Sequence, residues 1–341
     1  MTKNNKTKIF ITGGAGFIGT NFILYMMDKY PDYKIVNFDK LTYAGNLNNL
    51  KAVENNPNYV FVKGDICNEN EVKKAMAGCD WIIHFAAESH VDRSIMDPDT
   101  FVQTNVLGTN VLLRNAKELG IKRFHHISTD EVFGELGPKG KFNEKTLYDP
   151  RSPYSASKAS ADHLVRAYYH TFNLPITISN CSNNYGPYQF PEKFIPLFAT
   201  NLIENKKVPL YGEGLNVRDW IHVDDHSRAL DLILHQGKVG ETYCVGGDAE
   251  KTNLEITNLI LEYFSKGKEM IEKVTDRQGH DFRYAIDFSK IKNELGWQPE
   301  VNFEEGLKQT LRWYQDHQDW WKQIKSGEYE KYYEEQYINR K

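Results

Sequence analysis

A tyrosine and a lysine four residues apart are the first pair of side chains in this sequence that could carry out chemistry. Tyr154 and Lys158 lie in the stretch SPYSASK, at the start of a predicted helix. Residues at positions i and i+4 share one helix face, and a nearby ammonium group favours the ionised form of a phenol. Such a tyrosine can remove the proton of a substrate hydroxyl while the carbon loses a hydride. The same spacing is common on exposed helices, so this interpretation depends on a cofactor site elsewhere in the chain.

Two acidic residues follow the fifth predicted strand. The sequence ISTDEVFG places Thr129, Asp130 and Glu131 directly after a strand that runs from Arg123 to Ser128. Open α/β sheets bind ligands at the carboxyl ends of their strands, and neighbouring carboxyl groups can supply an acid and a base for an elimination. The alternative is a helix cap followed by an acidic first turn. The residues alone leave both interpretations open.

A glycine cluster predicts the cofactor site on which this chemistry depends. In ITGGAGFIG, Gly14, Gly16 and Gly19 satisfy the pattern GxGxxG, and Gly13, Gly16 and Gly19 satisfy GxxGxxG. Glycine is needed where a tight turn brings the backbone close to a pyrophosphate and packs a helix against a strand. The N-terminus of that helix then offers unpaired N–H groups to the phosphates.

Two acidic positions support the glycine cluster. Asp39 lies 20 residues after Gly19, at the end of the second predicted strand. A carboxylate there accepts hydrogen bonds from both ribose hydroxyls of NAD and repels a 2′-phosphate. The segment GDI, Gly64 to Ile66, follows the third strand, where an acid can meet the adenine. The three signals together predict a dinucleotide site that prefers NAD to NADP, although the adjacent Lys40 weakens the preference.

Strands that alternate with helices surround these motifs. The patterns predict strands at Lys8 to Thr12, Lys34 to Asp39, Tyr59 to Lys63, Trp81 to Phe85, Arg123 to Ser128 and Pro175 to Asn180, and helices at Phe17 to Tyr30, Asp99 to Leu119 and Tyr154 to Phe172. This alternation predicts an α/β fold with a doubly wound parallel sheet.

The pattern loosens beyond the sixth strand, which predicts a second domain. A chain of 341 residues corresponds to about two domains. Loops rich in Asn, Gly, Pro and Tyr, such as SNNYGPYQFPEKF, begin there, whereas Trp220 to Leu234 and Thr242 to Val245 are regular again. We therefore predict that residues 1–180, rejoined by 220–247, form the dinucleotide-binding domain. Residues 181–219 and 248–341 then form a smaller α/β substrate domain, with a helical tail from Trp313.

Composition excludes several classes of function. The chain has 42 basic and 46 acidic residues, so its net charge of -4 leaves no basic surface for nucleic acid. It has no apolar run of about 18 residues, as a membrane span would need, and no signal peptide is expected. The four cysteines form no CxxC pair, which argues against zinc and disulfides and for a cytoplasmic setting. His84, His90, His125 and His126 lack the spacing of a common metal site, so no metal is expected.

These motifs together resemble the extended short-chain dehydrogenase/reductase family, and within it the dTDP-glucose 4,6-dehydratases. The resemblance implies a Rossmann-type domain with a smaller substrate domain and runs from about Lys8 to the final residues. The stretches that carry it are TGGAGFIG, AAESHVDRS, STDEVFG, PYSASKA, SNNYGPYQFPEK, VRDWIHVDDH and DRQGHDFRYAID. Its most specific motif is Thr-Asp-Glu, because nucleotide-sugar epimerases of the family usually lack that acid pair. Gln278 and Phe194 depart from the family pattern, which often has proline and leucine there.

The resemblance implies a role for each catalytic residue. Tyr154 is the base at the sugar 4-hydroxyl, Lys158 tunes it and holds the nicotinamide ribose, and Thr129 hydrogen-bonds the 4-oxygen. Glu131 removes the C5 proton and Asp130 protonates the leaving 6-hydroxyl. The implied reaction converts dTDP-glucose to dTDP-4-keto-6-deoxyglucose with recycled NAD. Another nucleotide-sugar dehydratase, a 4-epimerase and a non-enzymatic NAD sensor are the alternatives.

The resemblance also implies binding positions. Those for the cofactor are Gly13, Gly16, Phe17, Ile18, Gly19, Asp39, Lys40, Leu41, Thr42, Asp65, Ile66, Ala86, Ala87, Glu88, Ser89, Thr104, Tyr154, Lys158 and Asn184. Those for the substrate are Ser89, Thr129, Asn183, Lys193, Phe194, Pro209, Tyr211, Arg218, Asn253, Arg277, His280 and Tyr337. Independently, guanidinium groups such as those of Arg218 and Arg277 suit a diphosphate, with structural ion pairs to Asp219 or Asp276 as the alternative.

A homodimer is the expected assembly. The resemblance implies a four-helix bundle made from the helices Asp99 to Leu119 and Tyr154 to Phe172 of each subunit. The first helix carries an apolar stripe that includes Val102 and Leu113, and the second carries small residues that include Ala167. One apolar face can pack on the protein's own sheet, but a second would need a partner. We expect Leu113→Glu or Ala167→Glu to weaken the dimer.

Overall fold

The short apolar runs form the strands of a parallel sheet in the computed structural model, which describes residues 7–276 and 279–326. The strands are β1 Lys8–Thr12, β2 Lys34–Asp39, β3 Tyr59–Lys63, β4 Trp81–His84, β5 Arg123–Thr129, β6 Ile176–Cys181, β7 Asn183–Tyr185, β8 Val208–Tyr211, β9 Val217–His222, β10 Thr242–Val245, β11 Glu250–Thr252 and β12 Ile271–Val274. Seven of them form one sheet in the order β10-β6-β5-β4-β1-β2-β3, and all of its neighbours are parallel. The order reverses between β1 and β4, which is where doubly wound sheets bind ligands.

Helices cover both faces of this sheet. They are α1 Phe17–Lys29, α2 Glu69–Met76, α3 Val91–Met96, α4 Pro98–Phe101, α5 Thr109–Glu118, α6 Pro153–Phe172, α7 Phe194–Ile203, α8 Val223–Gln236, α9 Asn253–Tyr263, α10 Ser289–Leu295, α11 Phe303–Asp316 and α12 Gln318–Ile324. Alternate residues of a strand face opposite sides of a sheet. Ile9 and Ile11 of β1 accordingly pack with α1 and α8, whereas Phe10 packs with α2, α5 and α6. The predicted doubly wound α/β fold is confirmed.

The predicted helix from Asp99 to Leu119 is interrupted. Between α4 and α5 the chain forms a π-helical segment, Val102–Gly108. Within it, the Asn105 side chain accepts from the backbone N–H of Glu88 at 2.9 Å and donates to the Glu88 carbonyl at 3.0 Å. The apolar pattern did not predict this segment. A π-helical turn is less than one residue longer than an α-helical turn, so the two patterns look alike over seven residues.

Leu113 does not belong to an exposed face, so its expected place in a dimer interface is wrong. Leu113 and its neighbour Leu112 are fully buried in the core between the sheet and its helices. The reason is that α5 turns this side towards the sheet, as the apolar side of most surface helices does. Val102, Leu107 and Phe172 are the exposed apolar side chains of this region, and Ala167 of α6 is exposed as well.

The loosely patterned part of the sequence builds two further sheets with their own core. The strands β11, β9 and β7 form one sheet, and β12 and β8 form the other. Tyr185, Phe198, Trp220, Leu307 and Trp321 are among the buried residues that pack there with α7, α9, α11 and α12. The helix α8 and the strand β10 rejoin the large sheet. The domain division itself stays a prediction. In the described part of the chain, no helix has both the length and the apolarity needed to cross a membrane.

Candidate active site

The carboxyl ends of the central strands open on a cavity of about 450 Å³. It runs from the glycine loop after β1 to the start of α6. The predicted cofactor positions that line it are Gly13, Gly16, Phe17, Ile18, Gly19, Asp39, Lys40, Thr42, Asp65, Ile66, Ala86, Ala87, Glu88, Ser89, Thr104, Tyr154, Lys158 and Asn184. The remaining one, Leu41, does not line the cavity. Its backbone N–H donates to Asp39 Oδ1 at 2.8 Å instead, so its contribution is to orient the Asp39 carboxylate.

The glycine loop fits a pyrophosphate for steric reasons. Gly13 has a φ of +71°, and a Cβ atom there would lie 2.5 Å from the backbone nitrogen of Ala86. A Cβ atom on Gly19 would lie 2.4 Å from the Gly13 carbonyl oxygen. The N-cap of α1 is Gly16, which provides no side-chain hydrogen bond to the helix. The N-terminal amides of α1 therefore face the cavity as an anion site.

Asp39 is buried at the end of β2, where a ribose would meet it. Its carboxylate accepts from the backbone N–H groups of Ala15 at 2.9 Å and Leu41 at 2.8 Å. Burial raises the pKa of Asp39, and these two hydrogen bonds oppose that effect. Next to it, Lys40 Nζ lies 2.8 Å from Asp65 Oδ2. Because Asp65 pairs with this cation, Lys40 counts less against a preference for NAD than the sequence indicated.

The helix α6 brings Tyr154 and Lys158 to the carboxyl end of β5. A reciprocal capping box between Ser152 and Ser155 fixes the start of this helix. Lys158 is almost fully buried, and its Nζ donates to the Ile127 carbonyl at 2.7 Å. Burial lowers the pKa of Lys158, while the charge of Asp162 opposes the shift. Both predicted residues therefore face the cavity from one helix turn.

Tyr154 is held in an acidic environment. Burial raises its pKa well above the usual value, the negative charge of Glu131 adds to this, and a hydrogen bond with Thr129 lowers it. Ionisation of the phenol thus needs positive charge nearby. The predicted tuning of Tyr154 by Lys158 stays a prediction.

Thr129 both caps a helix and contacts the acid pair. It is the N-cap of a short 3₁₀ helix, Asp130–Phe133. Its Oγ1 accepts from the Glu131 backbone N–H and donates to Asp130 Oδ1, each at 3.3 Å. The cap and the acid pair, which the sequence left as alternatives, are therefore both present.

Asp130 has the environment of a general acid. Its side chain is buried, and Oδ2 has no hydrogen-bond partner among the described residues. Burial raises the pKa of Asp130 well above its usual value, and the charges of Glu131 and Asp219 add to this, while Arg218 opposes it. Asp219 itself has a pKa of about 6 because of burial. Nearby carboxyl groups favour the neutral form of a carboxyl group, which is the form that can donate a proton.

A second cavity, of about 180 Å³, adjoins the first at Glu131. The predicted substrate positions that line it are Ser89, Asn183, Lys193, Phe194, Pro209, Tyr211, Arg218, Asn253 and His280, while Thr129 lines the first cavity. Arg218 donates to the carbonyls of Val217 at 2.7 Å and Asp281 at 2.9 Å, which fixes its guanidinium group. Arg277 and Tyr337 lie outside the described residues. A ligand with one part in each cavity would therefore pass Glu131.

The sequence did not predict that Tyr43, Phe190 and Glu192 line the first cavity, or that Arg93 contacts two of them. Arg93 donates to Glu192 Oε2 at 3.1 and 3.0 Å and lies 4.1 Å from the ring centroid of Tyr43. Tyr43 in turn packs edge-to-face with Phe190. Phe190 and Glu192 belong to the motif SNNYGPYQFPEK and Arg93 to AAESHVDRS, so both motifs were usable signals. Tyr43 and Arg93 come from distant segments, so only the tertiary structure brings them together.

Two of the clustered histidines, His84 and His126, are buried against polar side chains of the protein's own core. His84 lies between the hydroxyl groups of Thr12 at 2.7 Å and Thr109 at 3.0 Å, and His126 Nε2 lies 3.2 Å from Asp162 Oδ1. Burial lowers the pKa of both rings. Across residues 7–276 and 279–326, no group of His, Cys, Asp and Glu side chains is arranged to hold a metal ion.

Comparison with known proteins matches this geometry to a family. The family model described as GDP-mannose 4,6 dehydratase matches residues 10–310. A dTDP-glucose 4,6-dehydratase of Xanthomonas campestris is 49% identical over 339 residues, covering 94% of this chain and 96% of that protein.

Solved structures agree in both fold and sequence. DesIV from Streptomyces venezuelae, a dTDP-glucose 4,6-dehydratase solved with NAD and TYD bound, has a TM-score of 0.92 and 46% identity, covering 93% of this chain and 100% of that one. A dTDP-glucose 4,6-dehydratase from Bacillus anthracis in complex with NAD has a TM-score of 0.88 and 51% identity, covering 93% of this chain and 99% of that one. The chain belongs to the dTDP-glucose 4,6-dehydratase family, on a Rossmann-type fold.

Proposed function

We propose that this protein converts dTDP-glucose to dTDP-4-keto-6-deoxyglucose with NAD as a recycled cofactor. The observation that carries the proposal is the position of Asp130 and Glu131 on the same cavity as Tyr154 and Lys158. A simple dehydrogenase or an epimerase needs the second pair, whereas an elimination also needs the first. The names of the relatives and the NAD-bound structures among them support the same reaction.

The residues that line the cavity have separate roles in the proposed reaction. Tyr154 removes the proton of the sugar 4-hydroxyl, and Thr129 donates a hydrogen bond to the same oxygen. Once C4 is a ketone, the proton on the neighbouring carbon C5 is acidic, and Glu131 removes it. Asp130 protonates the 6-hydroxyl, which leaves as water, and Glu131 then returns a proton to C5. Bound NAD would supply the hydride-transfer chemistry that this reaction needs at C4 and C6.

The binding residues follow from the two cavities. The glycine loop, Asp39 and Lys158 would hold the pyrophosphate and the two riboses of NAD. The second cavity, with Arg218 at its edge, would hold the nucleotide diphosphate of the substrate, because a fixed guanidinium group suits a diphosphate. The sugar would then lie between Asp130, Glu131 and Tyr154.

A product assay tests the proposed function. Purified protein with dTDP-glucose and NAD should form a 4-keto sugar nucleotide that has lost one water, as mass spectrometry detects. A 4-epimerase would give a product of unchanged mass, and a non-enzymatic NAD sensor would give none. Either result would overturn the proposal. UDP-glucose and GDP-mannose as parallel substrates identify the preferred nucleotide base.

We also propose a homodimer in a reducing compartment, the cytoplasm. An apolar surface supports the dimer, since Val102 and Leu107 of the π-helical segment and Phe172 of α6 are all exposed. Exposed apolar side chains on neighbouring helices can mark an interaction site, and a two-fold axis would bring two copies of these helices together. The four cysteines are all free, which fits a reducing compartment.

A further inference from the structure

The loop that follows β2 forms one side of the first cavity. Residues 42–45 line that cavity, and the chain then enters a short 3₁₀ helix, Leu47–Leu50. Asn49 of this helix is almost fully buried, although its side chain is polar. Buried amide groups are held by hydrogen bonds, so the partners of Asn49 show to which parts of the molecule this loop is attached.

One partner of Asn49 is the glycine loop. Asn49 Nδ2 donates to the Ala15 carbonyl at 3.2 Å, and the backbone N–H of Asn46 donates to the same carbonyl at 3.0 Å. The backbone N–H of Ala15 donates in turn to Asp39 Oδ2 at 2.9 Å. Asp39 is the carboxylate that would accept from the ribose hydroxyls of NAD. The single residue Ala15 therefore connects Asn49 to the ribose site.

The other partner of Asn49 is 271 positions away in the sequence. Trp320 Nε1 of α12 donates to Asn49 Oδ1 at 2.7 Å. An amide side chain has its acceptor and its donors on different atoms. The indole N–H on one side and the Ala15 carbonyl on the other therefore fix the direction in which the Asn49 side chain faces.

The helix α12 is itself anchored in the second core. Trp321, the residue after Trp320, is fully buried there, and its Nε1 donates to the Tyr314 carbonyl at 2.8 Å. Lys325 Nζ lies 2.7 Å from Glu204 Oε2 at the end of α7. Successive residues of a helix face directions about 100° apart. Trp321 can thus hold α12 in the second core while Trp320 reaches the loop after β2.

The rings around Trp320 also contact a second loop of the first cavity. Trp320 packs edge-to-face with Trp313 and Tyr188, with ring centroids 5.1 and 6.1 Å apart. The Tyr314 hydroxyl donates to the carbonyl of Gln189 at 2.6 Å, and Gln189 lines both cavities. The helices α11 and α12 therefore contact two of the loops that form the cofactor cavity.

We propose that Trp320 is a positioning residue for NAD: its indole N–H fixes Asn49, and through Ala15 the Asp39 carboxylate, at the ribose site. This role rests on the proposed function, in which NAD is recycled within each turnover. A recycled cofactor has to stay bound while product leaves and new substrate enters. A contact that holds the ribose site in place slows the release of NAD without touching the reacting atoms.

Trp320→Phe tests the contact, because it removes the indole N–H and keeps an aromatic ring. The buried Oδ1 of Asn49 then loses its donor, so Asn49 is no longer held against Ala15. We expect the dissociation constant for NAD, measured by calorimetric titration of apo protein, to rise roughly tenfold. Asn49→Ala leaves α12 unchanged and should give the same loss, so this variant decides the question if Trp320→Phe does not fold.

Three further measurements distinguish positioning from a general structural role. AMP carries the adenosine ribose alone and should lose affinity by the same factor as NAD. In an Asp39→Ala background, Trp320→Phe should weaken NAD little further, because residues that act through one another are not additive. At saturating NAD, kcat should stay within about twofold of the wild-type value, since lost ground-state binding alters KM alone.

Trp313→Phe is the matched control, since Trp313 packs against Trp320 from α11 and should leave NAD affinity unchanged. Equal losses in Trp313→Phe and Trp320→Phe would overturn the proposal, because packing of the rings would then be responsible. Unchanged NAD affinity in Trp320→Phe, or a full further loss in the Asp39→Ala background, would overturn it as well. If wild-type protein binds no NAD, the proposed function fails instead, so the two failures are distinguishable.

Discussion

Burial separates Asp130 from Glu131, although the two are neighbours in the chain. The Asp130 side chain is fully enclosed, whereas Glu131 is half-buried and lines both cavities. Enclosure among carboxyl groups raises the pKa of Asp130 well above its usual value, which favours the protonated form that an acid needs. Glu131, the member of the pair that lines both cavities, is the proposed base.

Removing either carboxyl group should block dehydration but spare C4 oxidation. Asp130→Asn and Glu131→Gln keep the shape of the site and leave Tyr154 and Lys158 in place. We expect NADH to accumulate in a single turnover, while formation of the 4-keto-6-deoxy product falls on the order of 10²- to 10⁴-fold. Stopped-flow absorbance of NADH and mass spectrometry of the product are the measurements. Formation of product at the wild-type rate would show that these roles are wrongly assigned.

Asp39→Ala should weaken binding of NAD more than binding of NADP. The carboxylate is held by two backbone N–H groups where it can accept from ribose hydroxyls and repel a 2′-phosphate. Titration of apo protein with each cofactor measures the ratio of dissociation constants. We expect the preference for NAD to fall about tenfold, which corresponds to loss of roughly one charge-assisted hydrogen bond. Lys40→Ala is the control, since Lys40 is paired with Asp65. An unchanged ratio in Asp39→Ala would contradict the prediction.

At the scale of elements, one buried carboxylate joins α1 to α8. Asp231 of α8 accepts from Lys29 Nζ at 2.7 Å and Tyr25 at 3.0 Å, both from α1. His235, one turn further along α8, places its Nδ1 2.8 Å from Asp231 Oδ1 and its Nε2 3.0 Å from the Tyr33 hydroxyl. The two helices lie on the same face of the sheet, so this cluster stabilises the layer behind the glycine loop.

The contribution of His235 to stability should depend on pH. Burial alone would lower the pKa of His235, but its hydrogen bond with Asp231 outweighs burial and raises the pKa above 6.5. A group whose folded pKa is raised stabilises the fold fully below its unfolded pKa, and that stabilisation is lost as pH rises through the folded value. His235→Gln should therefore lower the Tm by more at pH 6 than at pH 9, with a difference on the order of 2 °C.

Thermal unfolding followed by circular dichroism at both pH values measures this difference. In an Asp231→Asn background the partner carboxylate is gone, so the pH dependence of the His235→Gln effect should shrink. An effect of His235→Gln that is equal at both pH values would contradict the electrostatic account.

At the scale of the whole molecule, the apolar surface on the π-helical segment and α6 predicts the assembly. Ala167 is an exposed residue of α6. A charge introduced at a two-fold interface appears twice, so Ala167→Glu should raise the dimer dissociation constant by at least about tenfold. Light scattering at micromolar concentration gives the mass. Gln309→Glu, on the exposed side of α11, is the matched control and should leave the dimer intact.

Leu113→Glu should behave differently from Ala167→Glu. Leu113 is fully buried beneath the sheet, so a glutamate there should lower the stability of the monomer itself, by roughly 4 kcal/mol or more. Urea denaturation measures this loss. A wild-type mass near 39.5 kDa would refute the dimer, and an intact dimer in Ala167→Glu would place the interface elsewhere.

The sequence by itself determined the features that depend on neighbouring residues. Each strand of the large sheet is a short run rich in apolar residues, and the glycine loop satisfies a steric requirement within a single turn. The residues of the Thr-Asp-Glu motif are consecutive, and Tyr154 and Lys158 are one turn apart. Local sterics and side-chain spacing operate within a few residues, so a linear pattern is enough to predict them. The resemblance added roles that spacing alone left open.

The tertiary structure decided the features that depend on residues far apart in the chain. The pairing of Lys40 with Asp65 and the contacts of Arg93 with Tyr43 and Glu192 depend on how separate elements pack. The burial of Leu113 depends on which way α5 faces. A sequence pattern shows that a helix has an apolar side, but it does not show whether that side meets the protein's own sheet or a partner, because both are apolar.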